Sequence, residues 1–255
     1  MSFKNTVVPL GHGQKITLPL NVSQKQKSNR AREPVSPRTG RVVGYYPSTK
    51  NNRSVAWESQ LEEKACNYFE FSTVIASYRE QPVSIFFQSQ GKLHRYTPDF
   101  ELVLKTGEVL YVEIKPAYKL ENFDLKNKLV DISTFWSKHG YGFIVITDEE
   151  LNNQNLLRNL KLLRSHQRYY CDTELVKYSI HWIANRKDVN IRQFNAHFHS
   201  PAKCLALISQ GHFVTDLSKP ISLDSKLFLP EENINETCLF SYRVAPNFER
   251  HTLSY

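Results

Sequence analysis

The sequence predicts an α/β fold: a mixed β-sheet flanked by helices over residues 54–170, then a small, mainly helical, winged-helix-like domain over residues 171–255. Three observations carry this expectation. Segments with helical apolar spacing alternate with apolar strand-like runs in the order helix, strands, helix, strand, helix. After about residue 170 the pattern changes to short helices with capping residues. The net positive charge is concentrated at the N-terminus, which sets residues 1–53 apart as a basic arm.

The arm comes first. Residues 1–57 hold ten Lys/Arg against the single acid Glu33, leaving 23 basic and 24 acidic residues elsewhere. A basic arm ahead of a near-neutral body suggests a polyanion partner, most simply nucleic acid. "SQKQKSNRAREPVSPRTGR" lacks periodicity and is rich in Ser, Pro, Lys and Arg, so an extended arm is expected. Its candidate DNA contacts are Lys25, Lys27, Arg30, Arg32, Arg38, Arg41, Lys50 and Arg53.

Ordered structure is expected to begin at Ser54 as an N-cap. In "SVAWESQLEEKACNYFEF", Trp57, Leu61, Ala65, Tyr68 and Phe69 recur at helical spacing. "VIASYREQPVSIFF" reads as strand interrupted at Pro82, and "ELVLKTGEVLYVEIK" as a hairpin. "LENFDLKNKLVDISTFWSKHG" is a helix stopped by Gly140. "YGFIVITD" is a strand, and "EELNNQNLLRNLKLLRSH" another helix. In the second domain "TELVKYSIHWIANR", "NIRQFNAHF" and "SPAKCLALISQG" are helices, the last with Ser200 as N-cap, Pro201 in the first turn and Gly211 as stop. "HFVTDL" and "KLFL" suggest a wing. No apolar run reaches the length of a bilayer span, and the first residues lack the apolar stretch of a secretory signal. A cytoplasmic protein with no membrane role is expected. The four cysteines are widely spaced and form no zinc signature.

The chemistry concentrates in "YTPDFELVLKTGEVLYVEIKP", where Asp99, Glu113 and Lys115 interrupt strands that otherwise look half-buried. Alternation places Glu113 and Lys115 on one face. A two-residue hairpin loop would set acids against the core. A three-residue loop, Lys105-Thr106-Gly107, pairs Phe100 with Val112 and Leu102 with Leu110, and puts Gly107 where a left-handed residue is needed. That register brings Asp99 beside Glu113. Like charges facing each other destabilise a sheet unless one is protonated or a cation lies between them. A hard divalent ion suits oxygen donors, and Mg²⁺ needs only one or two carboxylates plus a substrate phosphate. Such an ion with a lysine to orient the attacking water is phosphodiester-hydrolysis chemistry. Glu62 or Glu58 on the preceding helix completes the acid set.

Other features read more plainly. Arg79, Glu80 and Gln81 in "REQP" fit a structural corner. Lys119 and Lys126, just after the lysine strand, suit either phosphate contact or a solvated helix face. His197 and His199 lack a third ligand nearby. "SPAKCLALIS" carries one lysine and no arginine, which fits a core or protein-docking helix better than a groove-reading one.

"TPDF" with "VEIKP" resembles the PD-(D/E)xK nuclease superfamily. "ESQLEEKACNYFEF" followed by "REQP" narrows the resemblance to TnsA, the endonuclease subunit of heteromeric cut-and-paste transposases, including CRISPR-associated ones. It covers residues 40–165 well, and "CLALISQGHFVTDLSKPISLDSKL" is similar to the TnsA C-terminal domain. The resemblance implies a Mg²⁺-dependent endonuclease with one or two ions, Mn²⁺ substituting. It implies cleavage of the 5′ strands at the double-stranded DNA of transposon ends. A DDE transposase subunit would handle the 3′ strands, with an AAA+ ATPase as regulator. By position it assigns Glu62, Asp99, Glu113 and Lys115 to catalysis, and Glu62, Asp99, Glu113 and Ile114 to the metal, with Glu58 supporting. A stand-alone restriction or repair nuclease and a non-catalytic DNA-binding assembly protein are the competing readings.

Overall fold

The computed structural model describes residues 5–9, 15–19, 42–230 and 240–252. They form two compact units. One runs to Glu70, resumes over Val74–Leu151 and takes in the segment from Phe240; the other combines Phe71–Thr73 with the stretch beginning at Asn152.

The first unit opens with two strand pairs. β1 (Asn5–Pro9) lies antiparallel to β2 (Lys15–Pro19), and β3 (Gly44–Ser48) to β4 (Arg53–Trp57). Trp57 faces Gly44 across the second pair so closely that a Cβ on Gly44 would lie 2.3 Å from the indole. This overturns the expected start of structure at Ser54 and the helical reading of Trp57. Helix α1 spans Gln60–Phe71. The Trp57/Leu61 spacing imitated a helical stripe, but Val55 and Ala56 are buried as strand residues.

β5 (Ile75–Glu80) follows, then a hairpin of β6 (Ile85–Ser89) and β7 (Lys92–Tyr96), then β8 (Phe100–Leu104) and β9 (Val109–Lys115). α2 (Phe123–Lys138) crosses over to β10 (Gly142–Thr147), which runs parallel to β9, as such a connection requires. The expected strand at 74–87 is thus two strands broken at the corner holding Gln81, whose φ is 44°.

After β10 a short α3 (Asp148–Leu151) ends before Asn152, and α4 (Gln154–His166) restarts with Asn153 as N-cap, splitting the single helix expected there. The chain later returns as β11 (Ser241–Val244) and β12 (Glu249–Thr252), which extend the same sheet. The strand order is β12-β11-β10-β9-β8-β5, a mixed sheet. The segment expected to lie wholly in the C-terminal domain therefore contributes two strands to the first unit. Buried Glu150 accepts from Arg243 and Arg250 and fastens that return.

Both faces of the sheet are covered. Leu129, Ile132 and Trp136 of α2 pack on one side, with Trp136 stacked on Tyr111 at 3.6 Å between ring centroids. Phe69 of α1 meets Tyr78, Phe100 and Phe240 edge-on. Double coverage explains why five consecutive residues of β9, from Leu110 to Ile114, are buried.

In the second unit α5 (Thr173–Ala184), α6 (Ile191–Phe198) and α7 (Pro201–Ser209) are capped by Asp172, Asn190 and Ser200. Trp182, Phe194, Cys204, Leu207 and Phe213 form its core. α7 buries Cys204, Ala206, Leu207 and Ile208, in keeping with a core helix. The expected wing segments meet through a single antiparallel bridge, Val214 with Phe228, and a second bridge joins Asn190 to Lys226. No described helix is long and apolar enough to cross a membrane.

Candidate active site

The β8–β9 hairpin has the register that the three-residue loop demands: Phe100 pairs with Val112 and Leu102 with Leu110. Gly107 has φ 88°, and its N–H donates to the Leu104 carbonyl at 2.9 Å while the Leu104 N–H donates to Glu108. One residue before β8, Asp99 accepts the Ile114 N–H on Oδ2 at 2.7 Å. Its carboxylate therefore stands against β9 beside Glu113.

Lys115 Nζ lies among three oxygens: Glu113 Oε1 at 2.6 Å, the Ile114 carbonyl at 3.2 Å and Asp99 Oδ2 at 3.6 Å. One ammonium thus serves two carboxylates. Asp99 and Lys115 keep 19% and 26% of their side-chain surface open, against 8% for Glu113, so the cluster opens to solvent on the Asp99 side. Burial, then the Asp99 charge, pushes the Glu113 carboxyl up from its ordinary value to about 7, against the opposing pull of Lys115 and Tyr96. Burial alone would lower the Lys115 ammonium, but Asp99 and Glu113 outweigh it and hold the proton. With both carboxylates ionised the cluster is one cation short of neutral.

Glu62 comes from the first turn of α1. Its carboxylate accepts from the Glu58 N–H at 2.8 Å and the Ser59 hydroxyl at 2.9 Å, which ties it to the helix start. Burial and then Asp99 raise its carboxyl to about 7. Glu62 therefore feels the Asp99 charge, whereas Glu58 is engaged through its backbone N–H. Among the described residues no set of three or more His, Cys, Asp or Glu side chains has metal-holding geometry. The donor set that does converge is two carboxylates and one backbone carbonyl. These are hard oxygens, and a cationic group already sits among them. That composition fits Mg²⁺, which keeps several waters.

The flanking residues hold this geometry. Arg79 forks onto buried Glu101 at 2.7 and 2.9 Å. Glu80 accepts from Arg53 at 3.0 and 2.7 Å and from the Ala56 N–H. The Gln81 N–H donates to the Asp99 carbonyl at 2.9 Å. "REQP" is a structural corner. Lys50 and Arg53 are built into the fold and do not extend from an arm. Lys50 Nζ donates to the Phe69 carbonyl at 2.8 Å and burial pushes its ammonium down to about 8. Lys25, Lys27, Arg30, Arg32, Arg38 and Arg41 lie outside the described residues. Lys119 is exposed in the 3-10 turn Ala117–Glu121, and Lys126 is half-buried on α2.

Two contributors escaped the sequence reading. Asp148 accepts the Ala117 N–H at 2.6 Å and so fixes the turn after Lys115. The Tyr96 hydroxyl donates to Glu113 Oε2 at 2.5 Å. Its only signal in the sequence was a tyrosine ending a strand three residues before Asp99.

A mixed sheet flanked by helices, with Asp99 just before β8 and the Glu113-x-Lys115 pair on the adjoining β9, is consistent with a PD-(D/E)xK-like nuclease core. Residues 72–148 match the family model described as the TnsA-like endonuclease N-terminal domain, and Asp99, Glu113 and Lys115 all fall inside the match. Residues 72–148 are thus similar to the endonuclease domain of a nuclease related to transposition. Glu62 precedes the matched segment. Comparison with the curated proteins gives no match.

Proposed function

We propose that this protein is a Mg²⁺-dependent DNA endonuclease that cuts the 5′ strands at transposon ends. It acts with a DDE transposase subunit that processes the 3′ strands, under an AAA+ ATPase regulator. The observation that carries the reading is the single ammonium of Lys115 set among Asp99, Glu113 and the Ile114 carbonyl. Those three donors would hold the metal, which when bound supplies positive charge to the scissile phosphate and acidifies a water. With the metal bound, Lys115 would orient the attacking water. Glu62 completes the acid set from α1. Lys119 and Lys126 follow the lysine strand and contact phosphates, and the N-terminal cations give salt-dependent affinity for duplex DNA.

In the second unit, which also contains α4, the helices α5, α6 and α7 with two strand bridges support a winged-helix-like reading. Because α7 spends its side chains on the core, we assign that unit to protein partners before DNA.

The test is Asp99→Ala in a reaction with the partner transposase and DNA bearing transposon ends. The 5′ strands should stay intact while 3′-strand joining continues, giving cointegrates. Undiminished 5′ cutting would exclude the role.

A further inference from the structure

We propose that Tyr96 is a positioning residue that makes Glu113 a one-oxygen metal ligand and thereby favours small divalent ions over Ca²⁺. The inference rests on the metal reading above and adds to it a residue outside the Asp-Glu-Lys set.

The argument starts from the freedom of a glutamate. Its terminal torsion is broad and roughly two-fold, so an unrestrained carboxylate presents either oxygen, or both. At Glu113 the two oxygens have different partners: Oε1 meets Lys115 at 2.6 Å, and Oε2 accepts the Tyr96 hydroxyl at 2.5 Å. Oε1 is the oxygen in contact with the ammonium that also touches Asp99 and the Ile114 carbonyl.

Tyr96 is itself held. Its ring is buried, edge-on to Phe87 and Phe143 with centroids 6.4 and 6.2 Å away. Its backbone pairs with Ile85 across the β6–β7 hairpin. The next residue, Thr97, shares a 2.6 Å hydroxyl contact with Ser84. One short segment, 96–99, therefore delivers both Asp99 and the group that fixes Glu113. Groups that orient a ligand in this way change metal affinity by about 10–100-fold when lost.

The consequence is selective. Mg²⁺ and Mn²⁺ accept single carboxylate oxygens in octahedral sites, whereas Ca²⁺ readily takes both oxygens of a carboxylate. With Oε2 engaged by the phenol, Glu113 has one oxygen to give. Tyr96→Phe keeps the ring and removes only the hydroxyl, freeing Oε2.

The experiment measures Mn²⁺ binding to the full-length protein without DNA, by the loss of the free-ion electron-spin signal, with Ca²⁺ as competitor. Wild type, Tyr96→Phe and Asp99→Ala are compared. We expect Tyr96→Phe to bind Mn²⁺ about tenfold more weakly, with Ca²⁺ affinity falling less, so that the Mn²⁺/Ca²⁺ ratio drops. Asp99→Ala should bind neither ion. Unchanged Mn²⁺ affinity in Tyr96→Phe overturns the proposal while leaving the metal site standing. Equal weakening for both ions also overturns it, because a loosened fold would act that way. A wild type that binds no Mn²⁺ removes the metal reading and this inference together.

Discussion

Replacing Glu113 by glutamine should stabilise the metal-free protein at pH 8. Glu113 is 6% exposed, and its carboxyl is held at about 7 by burial and then by Asp99, even with Lys115 in contact. In the unfolded chain the same group ionises near 4.5. Between those values the folded state binds the proton and the unfolded state does not. Stability therefore falls as pH rises from about 4.5 to about 7 and stays lowered above that. Each tenfold step in a proton equilibrium is worth about 1.4 kcal/mol, so the gap corresponds to about 3 kcal/mol. That gap already includes the pull of Lys115, but an amide has one acceptor oxygen where the carboxyl group meets two donors, Lys115 and Tyr96, and the poorer hydrogen bonding leaves a net gain of about 1–2 kcal/mol. For a chain of this size that is a rise of about 2–8 °C in melting temperature. The assay is thermal melting in chelator at pH 5 and pH 8. The variant should melt above the wild type at pH 8 and level with it at pH 5, and Mg²⁺ should raise the wild type alone. A variant that melts at or below the wild type at pH 8 would refute the reasoning, for it would mean that Lys115 fully compensates the buried carboxylate.

Three further outcomes follow from the fold. Arg79→Ala should cost about 2–3 kcal/mol in urea denaturation, because it strands the Glu101 carboxylate; the half-exposed guanidinium keeps the loss below the range for fully buried pairs. A cost under about 0.5 kcal/mol would remove the corner's structural role. Gly107→Ala should cost about 1–2 kcal/mol by conformational strain alone, since φ is 88° and the added Cβ would meet nothing within 4 Å; an unchanged melting point would contradict the turn geometry. Ending the chain after residue 230 removes β11 and β12, bares the edge of β10 and leaves Glu150 without Arg243 and Arg250. That fragment should aggregate or be rapidly proteolysed, and a monomeric, cooperatively melting product would show that the returning hairpin is dispensable.

The central hairpin was legible because two independent signals agreed. The apolar alternation of Phe100, Leu102, Leu110 and Val112 and the left-handed demand at Gly107 chose the same register, and that register brought Asp99 and Glu113 together. The capped helices α6 and α7 were legible for a similar reason, with Asn190 and Ser200 each accepting an N–H of the first turn. Trp57 was misread because a tryptophan four residues before Leu61 suits a helix as well as a strand end; its contact with Gly44 lies thirteen positions away and leaves no local trace. The return of β11 and β12 was hidden for the same reason. Arg243 and Arg250 find Glu150 about a hundred residues distant, and short exposed strands carry little periodicity. Arg53 and Lys50 looked like arm cations because net charge is blind to partners such as Glu80 and the Phe69 carbonyl. Tyr96 escaped because its partner, Glu113, is seventeen residues away on another strand.

The most direct measurement of the central claim is an anomalous difference map from crystals of the protein soaked in Mn²⁺. The account predicts one peak bonded at about 2.1 Å to Asp99, Glu113 Oε1 and the Ile114 carbonyl, with the Lys115 ammonium moved out of the space it shares with them. A map with Lys115 still bridging the two carboxylates and no peak there, at an Mn²⁺ concentration that supports DNA cleavage, would contradict it.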